Sequence, residues 1–167
     1  MSSTAPRTRT TPLVGAARPI GRLEWRRLLD WLREDGLVDA AAAERVARRY
    51  AAGDSSLPAL VRLGGAGLQH AGRPRDTEAL TEWLARRAQL PYLRIDPLKV
   101  DVGRVAEVMS AQYAELRKVL PVTITPEQVT VATSEPFDTG WVAEIESHSR
   151  RKVRLVVANP EDIARFT

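Results

Sequence analysis

The 167-residue chain contains no cysteine, which excludes a disulfide framework, a thiolate metal site and a cysteine nucleophile. No apolar run approaches the roughly 18 residues of a membrane span. The first residues also lack the apolar core of a signal peptide. No direct membrane insertion is expected, and the expected address is cytoplasmic. There is no Gly-Lys-Ser/Thr, so no phosphate-loop lysine reaches the β and γ phosphates of a nucleoside triphosphate. Histidine is scarce: His70 and His148 are the two, far apart in sequence, and surface positions are expected for both rather than base or ligand duty. Asp96, beside Pro97, and Asp101 suit a turn and a helix cap better than a catalytic carboxylate pair. No cluster has metal-ligand spacing, and neither metal nor cofactor is expected.

Net charge is +4 and the pI about 9.9, which raises the question of nucleic acid. The distribution answers it. Residues 1–89 hold 15 basic and 10 acidic side chains, and residues 90–167 hold 10 and 11. Arg7, Arg9 and Arg18, in a tail without acids, supply +3 of the excess. A duplex-binding surface concentrates cations on one element, whereas here only Arg48-Arg49 and Arg150-Arg151-Lys152 cluster. No nucleic-acid partner is expected.

Residues 1–20, rich in Ser, Thr, Pro and Arg, read as a flexible tail. From Leu23, apolar residues Trp25, Leu28, Leu29 and Leu32 recur at helical spacing until Gly36. Asp39 is placed to cap a second helix carrying Ala43, Val46, Ala47 and Tyr50. Gly53-Asp54-Ser55-Ser56 breaks this hairpin, Leu57 to Leu63 form a short helix with Pro58 in its first turn, and Gly64 to Gly72 form a glycine-rich linker. The linker lacks the spacing of a dinucleotide fingerprint, since His70 stands where glycine is required. Asp76 then caps a helix with the stripe Leu80, Trp83, Leu84, Ala88.

At Leu90-Pro91-Tyr92-Leu93-Arg94-Ile95-Asp96-Pro97-Leu98 the period changes from helical to strand-like, and a first strand is expected over Tyr92 to Ile95. Asp101 caps a helix with Val102, Val105, Val108 and Met109 inward, and Ser110 opens another turn that buries Tyr113 and Leu116. Val119 to Thr125 and Val129 to Thr133 form antiparallel strands around Pro126-Glu127-Gln128. Pro136 and Asp138 start a helix with Trp141, Val142 and Ile145 inward. Lys152 to Ala158 form a strand, and Asn159-Pro160 begins a final helix. The expected fold is α+β: a helical subdomain over 21–89, then a three- or four-stranded sheet packed with helices over 90–167, in the order β-α-β-β-α-β-α.

Leu90-Pro91-Tyr92 with Ile95-Asp96-Pro97-Leu98, then Ala114, Leu120-Pro121-Val122, Val129, Val131-Ala132, Pro136, Asp138, Val156-Val157-Ala158 and Asp162-Ile163 resemble the N-terminal domain of the traffic ATPases of type II secretion and type IV pilus assembly. Glu135 replaces the aspartate usual before that proline. The helical half resembles two diverged copies of an Arg-Leu-Gly … Gly-Leu-Ile … Gln motif, which some members use to bind cyclic di-GMP. One copy runs through Arg27, Leu28, Leu32, Gly36, Leu37 and Val38, with Leu29 at the glycine position and Tyr50 at the closing glutamine. The other begins at Arg62, Leu63, Gly64 and, after an insertion, continues through Leu80, Trp83 and Leu84 to Arg87 in place of glutamine. A glycine that admits a ligand to the backbone does not tolerate leucine without blocking that approach.

The resemblance implies a non-catalytic docking domain, joined to a downstream ATPase motor and attached to the cytoplasmic domain of an inner-membrane platform protein. Trp31, off the strongest stripe of its helix, and Arg33 are candidate partner-binding residues, with core packing the competing role for Trp31. The second hypothesis is a cyclic di-GMP sensor in which Arg27, Leu28, Gly36, Arg62, Leu63 and Gly64 contact the dinucleotide. A stand-alone enzyme would require converging titratable groups, and the sequence offers no such set.

Overall fold

The structure is a computed structural model that describes residues 21–51 and 56–167. The expected tail and the Gly53-Asp54-Ser55 break lie outside the described residues. Helices α1 (Trp25–Glu34) and α2 (Ala40–Tyr50) form an antiparallel hairpin. Gly36, at φ +71°, takes the left-handed turn that glycine adopts without strain. Asp39 then caps α2 by accepting from the Ala42 N–H at 2.7 Å. Helix α3 (Ala59–Gly64) starts one residue after Pro58, and α4 (Thr77–Ala88) is capped by Asp76, which accepts from the Ala79 N–H at 2.8 Å.

The apolar stripes of these four helices close on one core. Leu28, Leu32, Leu63, Leu80 and Leu84 are fully buried, beside Leu60 and Trp83. Each such leucine contributes roughly 2 kcal/mol of burial. The expected glycine-rich linker is instead a small hairpin, β1 (Gln69–His70) with β2 (Arg73–Pro74). Ala71 and Gly72, both at positive φ, form its turn. No apolar alternation announces it, because only two residues pair on each side.

In the second half, β3 (Val119–Ile124) pairs antiparallel with β4 (Gln128–Thr133), which pairs parallel with β5 (Lys152–Val157). Side chains alternate across this three-stranded sheet. Val119, Val129 and Val131 face α5 (Val102–Val108), α6 (Ala111–Arg117) and α7 (Val142–Ser149) through Val108, Met109, Ala114, Trp141 and Ile145. Leu120, Ala132 and Val156 face Ile95 and α8 (Pro160–Phe166) through Ile163. The register of β3 shifts between Pro121 and Thr123, where the proline has no N–H to pair. On the far side of β5, the Val153 N–H donates to the Glu146 carboxylate at 3.2 Å.

Three further sequence expectations are corrected. The strand over Tyr92 to Ile95 shrinks to one parallel bridge between Tyr92 and Val157, with the Val157 N–H donating to Pro91 O and the Leu93 N–H to Val157 O, both at 2.8 Å. β5 ends at Val157 and Pro160 begins α8, so no extended partner remains for residues 94 and 95. Val102 and Leu116, expected inward, are 72% and 61% exposed. Leu116 follows the buried Ala114 by two residues, about 200° around a helix, and so points away. The helix expected from Pro136 begins only at Val142, after a turn in which the Trp141 indole N–H donates to Asp138 O at 2.9 Å.

The two halves are tied at several places. Glu78 on α4 accepts from the Tyr92 hydroxyl and, at 2.8 Å, from the Asn159 side-chain amide. Asn159 meanwhile caps α8 by accepting from the Glu161 N–H. Trp31 packs edge-on against Phe137, ring centroids 5.4 Å apart.

Gly64 sets the approach of α3 to α4, because a Cβ there would lie 2.3 Å from Thr77 Oγ1 and 2.6 Å from its backbone nitrogen. Gly64→Ala is expected to destabilise the fold by about 2 kcal/mol, read as a lower urea midpoint at unchanged slope. A midpoint equal to wild type would show that the two helices separate without cost.

Candidate functional site

Because α1 and α2 run antiparallel, the first residue of α1 and the last of α2 meet at one end of the hairpin, where α3 also passes. Trp25 and Tyr50 lie there edge to face, ring centroids 6.1 Å apart. Three guanidinium groups gather on these rings. Arg26 stands 5.0 Å from the Trp25 centroid, Arg49 5.8 Å from Tyr50, and Arg62 4.8 Å from Tyr50 and 5.8 Å from Trp25. The Tyr50 hydroxyl donates to Arg62 O at 3.0 Å, fixing α3 against the ring. A cleft of about 310 Å³ opens beside Trp25, floored by Leu57 and Ala59. The arrangement presents planar cations, rings and apolar surface together. No group of three or more potential metal ligands occurs among the described residues.

The residues inferred for dinucleotide binding do not converge as one set. Leu28 and Leu63 are fully buried, because the core needs them where the two helices cross. Gly64 faces Thr77 rather than open space, whereas Gly36 has nothing within 4 Å of its Cβ direction. Arg27 is exposed on α1, and Arg62 joins the aromatic pair. Of the partner-binding candidates, half-buried Trp31 is turned to the seam between the halves, where Phe137 meets its edge and the Arg87 guanidinium lies 4.7 Å from its centroid. Arg33 is exposed and borders a second cleft between α1 and α2, of about 250 Å³. Sequence periodicity assigned Trp25 and Tyr50 to the core and missed their pairing. The signal available was an arginine adjacent to each, Arg26 and Arg49.

Arg87 ties two helices together. It donates to Asp35 at 2.8 Å and Glu34 at 2.7 Å, while the Trp83 indole N–H donates to Asp35 at 2.7 Å. These bonds fasten the ends of α1 and α4 together.

The segment entering α1 is held by a buried acid. Glu135, 8% exposed, accepts the Leu23 N–H at 2.8 Å. Burial pushes its carboxyl up to about 7, against the opposing pull of the Leu23 N–H and the Arg22 charge, with Asp138 adding to the rise. Arg22 itself donates to Leu116 O at 2.9 Å.

Residues 88–167 match the MshEN domain. The type IV pilus assembly ATPase TfpB of Acinetobacter baylyi is 38% identical over 98 residues, 58% of this chain and 17% of that protein. The matched region is therefore under a fifth of the relative's length. Among solved structures, that of MshE with cdg superposes with a TM-score of 0.59 at 19% identity, covering 83% of this chain and 94% of that one. The N-terminal domain of XpsE gives 0.51 at 17% identity, covering 84% and 90%. At such identities the two structures establish the shared fold.

Glu135 makes stability depend on pH. The unfolded chain releases this proton near the ordinary value of 4.5 and the folded chain near 7. The contribution is thus fully present below about 4.5 and lost as pH rises through about 7. Urea titrations from pH 5 to 8 are expected to show wild type losing about 2 to 3 kcal/mol relative to Glu135→Gln, which keeps an acceptor for Leu23 without a charge. Parallel curves for the two proteins would contradict the assignment.

Proposed function

We propose, from the match of residues 88–167 to the MshEN domain, that the chain is the non-catalytic N-terminal docking domain of a secretion or pilus ATPase. It holds the downstream motor of its own polypeptide to the cytoplasmic domain of an inner-membrane platform protein, and so works in the cytoplasm beside that membrane. The observation that carries this reading is the 38% identity to a type IV pilus assembly ATPase whose sequence extends far beyond the matched 98 residues. The candidate site agrees with it in kind: rings, arginines and apolar floor suit recognition, which rests on a few buried anchors. Whether secretion or pilus assembly is served depends on the platform protein.

Biolayer interferometry of the folded chain against the platform protein's cytoplasmic domain tests the proposal. Binding in the micromolar range or tighter is expected, and no binding up to 100-fold higher concentration would sink it.

A second reading is favoured by the likeness to MshE with cdg: the helical half senses cyclic di-GMP and biases the attached motor. Leu29 at the motif's glycine position and the packing of Gly64 on Thr77 both oppose backbone approach by such a ligand. Calorimetric titration is expected to give no heat at high micromolar dinucleotide. A saturable heat lost in Arg62→Ala would reverse that preference.

A further inference from the structure

We infer that the partner meets this chain on the outer face of the α1–α2 hairpin, centred on Trp25, and that its docking segment is an acidic amphipathic stretch of polypeptide. The inference rests on the docking reading above and adds the surface and the chemistry of what it takes.

The argument begins with how the arginines are held. A cation over a ring is drawn toward that position by the ring's quadrupole, yet its charge is not neutralised. Arg48 by contrast has Glu44 at 3.6 Å and Arg87 has both Asp35 and Glu34. Among the described residues, Arg26 and Arg49 form no ion pair with a carboxylate. Their rings pre-order them, and the compensating charge is left for a partner to supply. Pre-ordering also removes part of the entropy that mobile arginine side chains lose on binding.

The apolar component lies in the same place. Leu57 is 55% exposed and floors the cleft beside Trp25. Trp25 and Arg26 border this cleft and also the second one, which continues along the groove past Ala43 and Ala47 to Arg33. The two openings therefore share one ridge, and the small alanines keep the groove shallow. Such a groove accepts the apolar stripe of a helix whose flanks carry the charge. Glu24, Asp30 and Glu44 border it as well, and Arg49 stands past the end of the groove beside Tyr50, where it lines a separate cleft with Arg45, so an acidic partner must place its carboxylates at Arg26 and beyond the groove's end at Arg49 rather than uniformly. Trp31, turned inward on Phe137, takes no part in this surface.

The probe is a fluorescein-labelled 16-residue peptide with leucine at i, i+3, i+4 and i+7, glutamate at four positions flanking that stripe and alanine elsewhere, beside a copy with every glutamate replaced by glutamine. Fluorescence anisotropy is expected to show saturable binding of the acidic peptide, at least tenfold weaker binding of the glutamine copy, and a tenfold or greater loss in the double variant Arg26→Glu, Arg49→Glu. The charge-matched double variant Arg94→Glu, Arg150→Glu, at exposed positions of the sheet half, is expected to change affinity less than twofold. Circular dichroism confirms that each variant is folded. Equal losses in the two variants would mean general electrostatic attraction and would overturn the inference. So would no binding by wild type, or binding of cyclic di-GMP at Arg26 and Arg49 with no binding of the peptide. Because this probe needs no platform protein, failure of the surface and failure of the docking role are separately visible.

Discussion

One carboxylate sits where the two halves cross, and it is the tie that reaches two elements of the second half at once. Glu78 accepts from Tyr92, where the chain leaves the helical half, and from Asn159, which caps the last helix. Both donors lie beside the end of β5, because Val157 bridges to Tyr92 and Asn159 follows two residues later. A displacement of α4 therefore acts on the chain crossing and on α8 together. Arg87 adds a second constraint on α4 by binding the end of α1. Strain applied to the hairpin thus has a short covalent and hydrogen-bonded route to the C-terminal helix.

Much of the fold was legible because its instructions are local. Asp39, Asp76, Asp101, Ser110 and Asn159 each precede a helix and each accepts a backbone N–H there. Leu28, Leu32, Leu80 and Leu84 announce buried faces by their spacing. The β3–β4 pairing follows from two β-prone runs around Pro126. What stayed hidden depends on partners distant in sequence. Tyr92 to Ile95 has the composition of a strand, but the ladder needed β5 to continue beyond Val157. Leu116 has the right residue type and the wrong angle. The β1–β2 hairpin is too short to leave a periodic trace.

The candidate site was less legible for the same reason. Periodicity reports that Trp25 faces inward, but not that Tyr50 is the residue it meets or that arginines from three helices converge there. Motif comparison singled out Arg62, which lies over the aromatic pair, while Leu28 and Leu63 are core and Gly64 is a contact between helices. Glu135 illustrates the opposite case. One methylene beyond the usual aspartate, it reaches the Leu23 N–H across the seam and carries the cost of desolvation with it.

Neither rim of the sheet invites another strand. Along β3, Pro121 lacks a donor and the register slips just after it; along β5, Val153 and Val157 have already spent their amide protons on Glu146 and Pro91. Assembly by strand addition, the commonest accident of small open sheets, is discouraged on both sides. Copies of this unit can therefore come close together without polymerising through their backbones, and any contact between them falls to side chains.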